Sequence, residues 1–246
     1  MLLILPPSET KRDGGVEGSR LDLDVLGFGG LRESRAAAIH ALLAVSTDLD
    51  EGIRALKLGR TQQFEVERNR VLETAPVMPA VDRYTGVIYD ALDAASLDGK
   101  ARSFARDHLA IGSALFGLLW AHDPIPAYRL SHDSRLPGLA LGKLWRAGVS
   151  AELQRVPGLV LDLRSEAYAA LGRAPAGSFY LRVLSEREDG RRTALSHFNK
   201  HAKGDFTRRV LEAGIDHEDV DSLLRWAQRS RITLDYGVDG ELDLVV

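Results

Sequence analysis

The chain opens on MLLILPPSETK, residues 1–11, an apolar run that leads through two prolines into a polar cluster. A continuous apolar run of this kind predicts a strand that is buried on both faces. Polar side chains at the end of such a strand often form a functional site, and Ser8, Glu9 and Lys11 supply a hydroxyl, a base and a cation there. The alternative is a solvated turn whose hydroxyl groups bind the local backbone.

The rest of the chain alternates between strand-like and helix-like segments. Leu159–Leu163 predicts a second buried strand, and turn signals at Asp189-Gly190 and Asp239-Gly240 predict two hairpins in the C-terminal half. Helical patterns cover Glu33–Val45, Asp48–Leu56, Thr61–Glu73, Tyr84–Ala95, Leu139–Arg155, Asn199–Ala213 and Asp219–Arg229. Asp48, three residues before Glu51, is close to a capping-box pattern at the start of the second of these helices. This order predicts an α+β fold: a single compact domain over residues 1–246, with a mixed β-sheet and surrounding helices.

The composition excludes several classes of protein. The 246 residues carry 32 basic and 35 acidic side chains, a formal charge of −3, and no cysteine. Without cysteine there are no disulfides, thiolate metal sites or thiol peroxidase chemistry. No apolar run approaches the length of a membrane span, and the N-terminus lacks a basic signal region, so we expect a cytoplasmic protein with no membrane partner. No phosphate-binding loop, nucleophile elbow or zinc-finger spacing is present, and we expect no cofactor and no metal.

Two basic segments are candidates for binding anions. Tyr128-Arg129 follows Pro124 and Pro126, which fix the loop before it, and this pair suits planar anion recognition or base stacking. The basic residues of the second segment lie in the predicted helix that begins near Asn199; they are Lys200, Lys203 and Arg208. The alternatives are a structural loop packed under its aromatic rings and a solvated helix face.

Gly204 interrupts this basic helix at a cost of about 1 kcal/mol relative to alanine. Such a cost is easier to accept where another backbone or a phosphate group approaches closely.

A third segment, Ile53–Arg60, has the pattern of a helix–hairpin–helix element. The first helix is expected to stop at Gly59 in a left-handed conformation, with Lys57 and Arg60 beside the turn. Such turns bind DNA phosphates through backbone N–H groups and the start of the next helix. The alternative is an ordinary helical hairpin.

Five segments in this order resemble the YaaA peroxide-stress family. They are Leu5–Lys11, Tyr84–Tyr89, Leu115–Gly117 with Tyr128–Leu130, Asp162–Tyr168 and Lys200–Gly204. The resemblance implies a single α+β domain with a helix–hairpin–helix element, a positively lined cleft, DNA binding and a role in limiting damage by peroxide and loose iron. In this chain, Lys200, Lys203, Tyr128 and Arg129 take the places of the family's basic and Tyr-Arg residues.

Three hypotheses follow from these residues. The first is a peroxide-stress protein that binds duplex DNA with little sequence preference through Lys57, Arg60, Tyr128, Arg129, Lys200, Lys203 and Arg208. The second is an enzyme acting on a nucleotide or nucleobase, or on another small anionic ligand, in the same cleft. Its candidate catalytic residues are Ser8, Glu9, Lys11, Ser165 and Lys200. The third is an iron-binding protein that uses histidines and carboxylates.

Overall fold

The computed structural model describes residues 1–186, 192–194 and 198–246 of the chain. Within these residues the backbone forms a mixed sheet of eight strands and a separate pair of two short strands. The strands are β1 (Leu2–Leu5), β2 (Met78–Pro79), β3 (Leu109–Ser113), β4 (Gly117–Trp120), β5 (Pro124–Ile125), β6 (Val160–Asp162), β7 (Phe179–Glu186), β8 (Arg192–Ala194), β9 (Thr233–Tyr236) and β10 (Glu241–Val245).

Helices connect these strands and pack against the sheet. In the part of the chain that the structure describes, they are α1 (Arg32–Ser46), α2 (Leu49–Leu56), α3 (Phe64–Arg70), α4 (Ala80–Arg83), α5 (Val87–Leu92), α6 (Gly99–His108), α7 (Leu141–Gln154), α8 (Glu166–Ala169), α9 (Phe198–Ala213) and α10 (Val220–Arg229). The predicted α+β class, with one compact domain and a mixed sheet, is confirmed.

The order of strands in the large sheet is β4-β3-β1-β6-β7-β10-β9, and β8 pairs with β7. The five central strands from β3 to β10 run parallel to their neighbours, whereas β4 and β9 lie antiparallel at the two edges. The predicted hairpin across Asp239-Gly240 is confirmed as β9–β10. Strands β7 and β8 are antiparallel as expected, but their turn at Asp189-Gly190 lies outside the described residues.

The chain reverses its direction of travel across the sheet between β1 and β6. From β1 the chain continues to β3 on one side, and from β6 it continues to β7 on the other side. In open parallel sheets, a crevice forms outside the carboxyl ends of two such neighbouring strands. The segments that follow these strands, residues 6–10 and 163–168, are therefore positioned to form opposite walls of one site.

The core is built around the first strand. Every residue of Leu2–Leu5 is fully buried, as the continuous apolar run predicts. Trp145 of α7 is also fully buried, and its indole N–H donates to the carbonyl of Ala114 at 2.8 Å. A Cβ atom at Gly117 would lie 2.8 Å from this ring, and Gly117 has a φ of 73°. The β3–β4 turn therefore needs glycine for both its conformation and its packing.

Two buried arginines tie loops to the core through backbone carbonyls. The Arg35 guanidinium donates to the carbonyls of Phe116, Gly27 and Leu118 at 2.6–3.0 Å. The Arg83 guanidinium donates to the carbonyls of Ile125 at 3.1 Å, Arg12 at 2.5 Å and Pro76 at 2.9 Å. Arg12 lies in the loop that follows β1. Burial lowers the pKa of each guanidinium to about 10. The contacts to Gly27 and Arg12 fasten the loop between β1 and α1 to the core.

The stop of α2 differs from the prediction. Asp48 caps the start of the helix by accepting from the Glu51 N–H at 2.8 Å, as its position predicts. The left-handed residue at the end is Lys57, with a φ of 56°, whereas Gly59 is extended with a φ of −75°. The expected role of Gly59 is therefore wrong. The helix itself ends at Leu56, as the helical pattern predicts, but the left-handed residue lies two positions before Gly59. The Leu58 N–H bonds back to the Ile53 carbonyl at 3.0 Å, and the Leu58 side chain packs in the core.

A short 3₁₀ turn and then α3 follow this stop. The segment therefore contains two helices joined by a turn, but a helix–hairpin–helix function for it stays a prediction.

Candidate functional site

A cleft of about 770 Å³ opens at the carboxyl ends of β1 and β6. Its walls come from the residues after these two strands, from the start of α5 and from the first turns of α9. The lining residues are Pro6, Pro7, Ser8, Glu9, Thr10, Thr85, Gly86, Val87, Ile88, Tyr89, Ser131, His132, Leu163, Ser165, Glu166, Ala167, Tyr168, Tyr180, Asn199, Lys200 and Lys203. Four of the five segments that carry the family resemblance therefore line one concave site, although they lie far apart in the sequence.

The two lysines of α9 enter this cleft in different states. Lys200 is exposed, so its ammonium group remains hydrated and available to an anion. Lys203 is buried, its Nζ donates to the Leu163 carbonyl at 2.9 Å, and it lies 5.3 Å from the centre of the Tyr180 ring. Burial lowers the pKa of Lys203 to about 8, although the charge of Asp162 acts in the opposite direction. One cation is thus exposed, and the other is partly neutral near physiological pH.

Hydroxyl groups line the wall formed after β1. The Thr10 N–H donates to Ser8 Oγ at 3.3 Å, and Thr85 Oγ1 donates to Thr10 Oγ1 at 2.9 Å. Gly86, with a φ of 94°, begins α5 beside them, and a Cβ there would lie 3.3 Å from Ser8 Oγ. These contacts fix the Ser8–Thr10 turn against α5 and leave its hydroxyl groups at the cleft surface.

Lys11 lies beneath this wall. Its side chain is buried, and its Nζ donates to the carbonyls of Ser8 at 2.9 Å and Glu9 at 3.2 Å. The same ammonium lies 4.1 Å from the centre of the Tyr128 ring. Burial, followed by the nearby Arg129 charge, lowers the pKa of Lys11 to about 7. Lys11 supports the wall through its backbone and does not itself line the cleft.

Arg129 and Tyr128 are also buried below the cleft. Arg129 Nη2 donates to Glu9 Oε2 at 2.7 Å, so this guanidinium holds a cleft carboxylate in place. Tyr128 is fully buried, and its hydroxyl bonds to Tyr84 at 2.7 Å and to Ser113 at 2.8 Å. The expected stacking of Tyr128 on a base therefore does not fit the structure, because both its ring and its hydroxyl are enclosed.

The other predicted cations lie outside the cleft. Lys57 Nζ binds Asp133 Oδ2 at 2.8 Å, and Asp133 is the neighbour of His132 in the cleft wall. Arg60 is exposed on the following turn. Arg208 binds the carbonyl of Leu92 at 3.0 Å and Glu212 at 2.9 Å, so it closes the end of α5. The α2–α3 turn thus adjoins the cleft through residues 131–133, whereas Arg208 is engaged elsewhere.

The cleft also contains three aromatic residues that the sequence did not single out, Tyr168, His132 and Tyr180. The rings of Tyr168 and His132 meet edge-on with centres 5.1 Å apart, and Tyr180 lies beside Lys203. Burial raises the pKa of Tyr168 to about 12, so its phenol stays protonated and can donate a hydrogen bond. Tyr168 belongs to one of the five segments that carry the family resemblance, and its position just after β6 was the available signal.

The described residues contain no feature that is specific for a metal centre or for a membrane span. Across residues 1–186, 192–194 and 198–246, no group of three or more histidine and carboxylate side chains is placed to hold a metal ion. The Asp123 carboxylate instead accepts from the backbone N–H groups of Gly27 at 3.1 Å and Trp120 at 2.9 Å. Over the same described residues, no helix combines the length and apolar character that a membrane crossing requires.

Comparison with known proteins places the chain among bacterial relatives. A family model described as "Peroxide stress protein YaaA" matches residues 1–230. A UPF0246 protein of Corynebacterium glutamicum is 43% identical over 241 residues, covering 96% of this chain and 95% of the relative. A UPF0246 protein of Streptomyces coelicolor is 42% identical over 220 residues, covering 87% and 84%. This chain therefore belongs to the peroxide stress protein YaaA family, whose name supports a role in peroxide stress.

Proposed function

We propose that this protein serves the peroxide-stress response by binding DNA, and that its cleft receives a single nucleotide unit of the strand. The observation that carries this proposal is the convergence of Lys200, Lys203 and the Ser8 and Ser165 hydroxyls in one cleft at the ends of β1 and β6. Cations and hydroxyl groups bind phosphate oxygens. A volume of about 770 Å³ is in the range of small-ligand sites, so the cleft suits one nucleotide rather than a whole duplex.

The aromatic side of the cleft supports a nucleotide over inorganic phosphate alone. Tyr168, Tyr180 and His132 line the same cavity as the lysines. Aromatic side chains bind unstacked bases with little sequence preference, because every base has a π-face. A nucleotide that is unpaired or turned out of a duplex would place its base there and its phosphate near Lys200.

Such binding would limit iron-dependent damage by a simple electrostatic route. A protein that neutralises DNA phosphates releases the cations condensed around them. Ferrous iron is one such cation, and its release would move peroxide-driven radical formation away from the DNA. This route needs no metal site on the protein.

A change of one cleft charge tests the proposal. We expect wild-type protein to bind a fluorescein-labelled single strand in anisotropy titrations, with affinity falling steeply between 50 and 300 mM salt. Lys200→Gln should weaken binding about fivefold at low salt and reduce the salt slope by about one. Lys100→Gln, an equal change of charge at an exposed residue in the first turn of α6, is the matched control and should bind like wild type.

Two results would contradict DNA binding through the cleft. One is the absence of any salt-dependent binding to single strand, duplex or gapped duplex. The other is an equal loss of affinity in Lys200→Gln and Lys100→Gln, which would place the contact on the general surface.

A second function, an enzyme acting on a nucleotide, is favoured by the state of Lys203. A buried lysine whose pKa is lowered to about 8 in a cleft is typical of catalytic sites. The same titrations separate the two functions, because an enzyme for free nucleotides would release the labelled strand when micromolar mononucleotide is added. A DNA-binding cleft would require a large excess of mononucleotide.

A further inference from the structure

The two lysines of the cleft, Lys200 and Lys203, differ in their exposure to solvent. Lys200 is exposed and can meet a phosphate as a hydrated ammonium. Lys203, one turn later, is 5% exposed, and its Nζ is held at 2.9 Å from the Leu163 carbonyl, against the Tyr180 ring. Among the residues that the structure describes, no carboxylate forms an ion pair with Lys203. A phosphate contact does not require the amine to be buried, so the burial of Lys203 calls for another explanation.

The surroundings of Lys203 favour its neutral form. Burial lowers its pKa to about 8, so about one tenth of the amine is neutral at pH 7. At the ordinary pKa of lysine, fewer than about one amine in a thousand would be neutral. A neutral amine in a partly apolar cleft is a nucleophile toward carbonyl carbon.

The cleft also limits which carbonyl compound could reach this amine. Lys200 offers a positive charge that suits a phosphate, and the lining also includes Pro6, Pro7 and Leu163, whose carbonyl accepts from Lys203. A deoxyribose phosphate that has lost its base opens to an aldehyde and is smaller than an intact nucleotide. Radical attack on DNA releases bases and leaves such sugars, which connects this chemistry with peroxide stress.

We propose that Lys203 forms a Schiff base with the aldehyde of a ring-opened deoxyribose phosphate, either in abasic DNA or as a free sugar phosphate. The Nζ lone pair attacks the aldehyde carbon C1′ and forms the C–N bond. The nitrogen then loses its two protons and the carbonyl oxygen leaves with them as water, which gives a neutral imine. This inference rests on the proposed function, in which the cleft accepts one nucleotide unit.

Cyanoborohydride trapping tests the proposal directly. The probes are a labelled oligonucleotide with one abasic site and free 2-deoxyribose 5-phosphate, each incubated with full-length protein and sodium cyanoborohydride, which survives at pH 6 and reduces imines in preference to aldehydes. We expect a covalent adduct that peptide mass spectrometry places on Lys203. The yield should rise more than tenfold from pH 6 to pH 8, because the neutral fraction of the amine increases about fiftyfold. Adduct with the oligonucleotide identifies abasic DNA as the source, and adduct with the sugar phosphate alone identifies the free metabolite.

Variants and binding data separate this inference from the proposed function. Lys203→Met should abolish the adduct while Lys100→Met retains it, and thermal unfolding of both variants checks that they fold. Mapping the adduct on wild-type protein needs no variant. An adduct on another amine, or none with either probe, overturns the Schiff base. If the same abasic oligonucleotide still binds in anisotropy titrations, only this inference fails; if it does not bind, the DNA-binding proposal fails as well.

Discussion

Arg164→Met should lower the free energy of unfolding by about 3–5 kcal/mol, among the largest effects expected from one substitution in this chain. Arg164 and Asp162 are both buried, and they are joined by two bonds of 2.8 and 2.7 Å between guanidinium and carboxylate. Arg164 also donates to the Gly172 carbonyl at 2.9 Å. Methionine keeps much of the side-chain volume but leaves the Asp162 carboxylate buried without this partner. Denaturant unfolding measures the loss.

A double variant separates the unpaired charge from the lost packing. The double variant Asp162→Asn/Arg164→Met removes the carboxylate. In the wild type the backbone N–H of residue 164 donates to Asp162 Oδ1 at 3.0 Å, and the asparagine amide oxygen can still accept this hydrogen bond. We expect this variant to recover a large part of the stability. Arg32→Met, which breaks an exposed pair with Asp24, is the surface control and should leave the unfolding midpoint nearly unchanged. Equal losses in the single and double variants would contradict a penalty from the buried charge.

Gly204→Ala should destabilise the protein by about 2–3 kcal/mol, although alanine is the better helix former. A Cβ at Gly204 would lie 2.2 Å from the Ile88 carbonyl oxygen and 2.8 Å from the Ala91 Cβ. Helices α5 and α9 would have to move apart, and both of them line the cleft. We therefore expect a lower melting temperature together with weaker DNA binding in the same titrations.

Gly142→Ala is the matched control for this substitution. A Cβ at Gly142 of α7 would meet nothing closer than the end of the Arg146 side chain at 3.9 Å. This variant should be neutral or slightly stabilised, because only the gain in helix propensity remains. A Gly204→Ala protein as stable as wild type would show that α5 and α9 are not in backbone contact.

Local features of the fold could be predicted from the sequence. The first strand, the Asp48 cap and the β9–β10 hairpin depend on residues next to one another, and all three are confirmed. The parallel centre of the sheet was not predictable in the same way. Leu3 pairs with Leu109 on one side and Leu161 on the other, and no turn residue marks such a pairing.

Gly204, in the interior of α9, indicated a close contact before the structure was known. Its cost in propensity predicted a close approach by another backbone or by a phosphate. The structure shows the first of these, because the Ile88 carbonyl occupies the space that a side chain would need.

The site was predictable where position along an element decides the outcome. Ser8 and Ser165 follow strand ends, and Lys200 and Lys203 lie about 60° apart around α9, so all four reach the cleft. Around the helix, Arg208 lies about 80° from Lys200 and about 140° from Lys203. Its guanidinium donates to the Leu92 carbonyl at the end of α5. Lys11 and Arg129 have the same chemistry as exposed cations, and only the tertiary structure shows that both are buried beneath the cleft.

The central claim is that the cleft between the ends of β1 and β6 is where nucleic acid binds. Hydrogen–deuterium exchange with and without a saturating single-stranded oligonucleotide tests it most directly, because it reports on the backbone of every wall. We expect slower exchange at the amides of residues 8–10, 165–168 and 199–203, with little change in α7. Slower exchange confined to surfaces away from these residues, with none in the cleft walls, would contradict it.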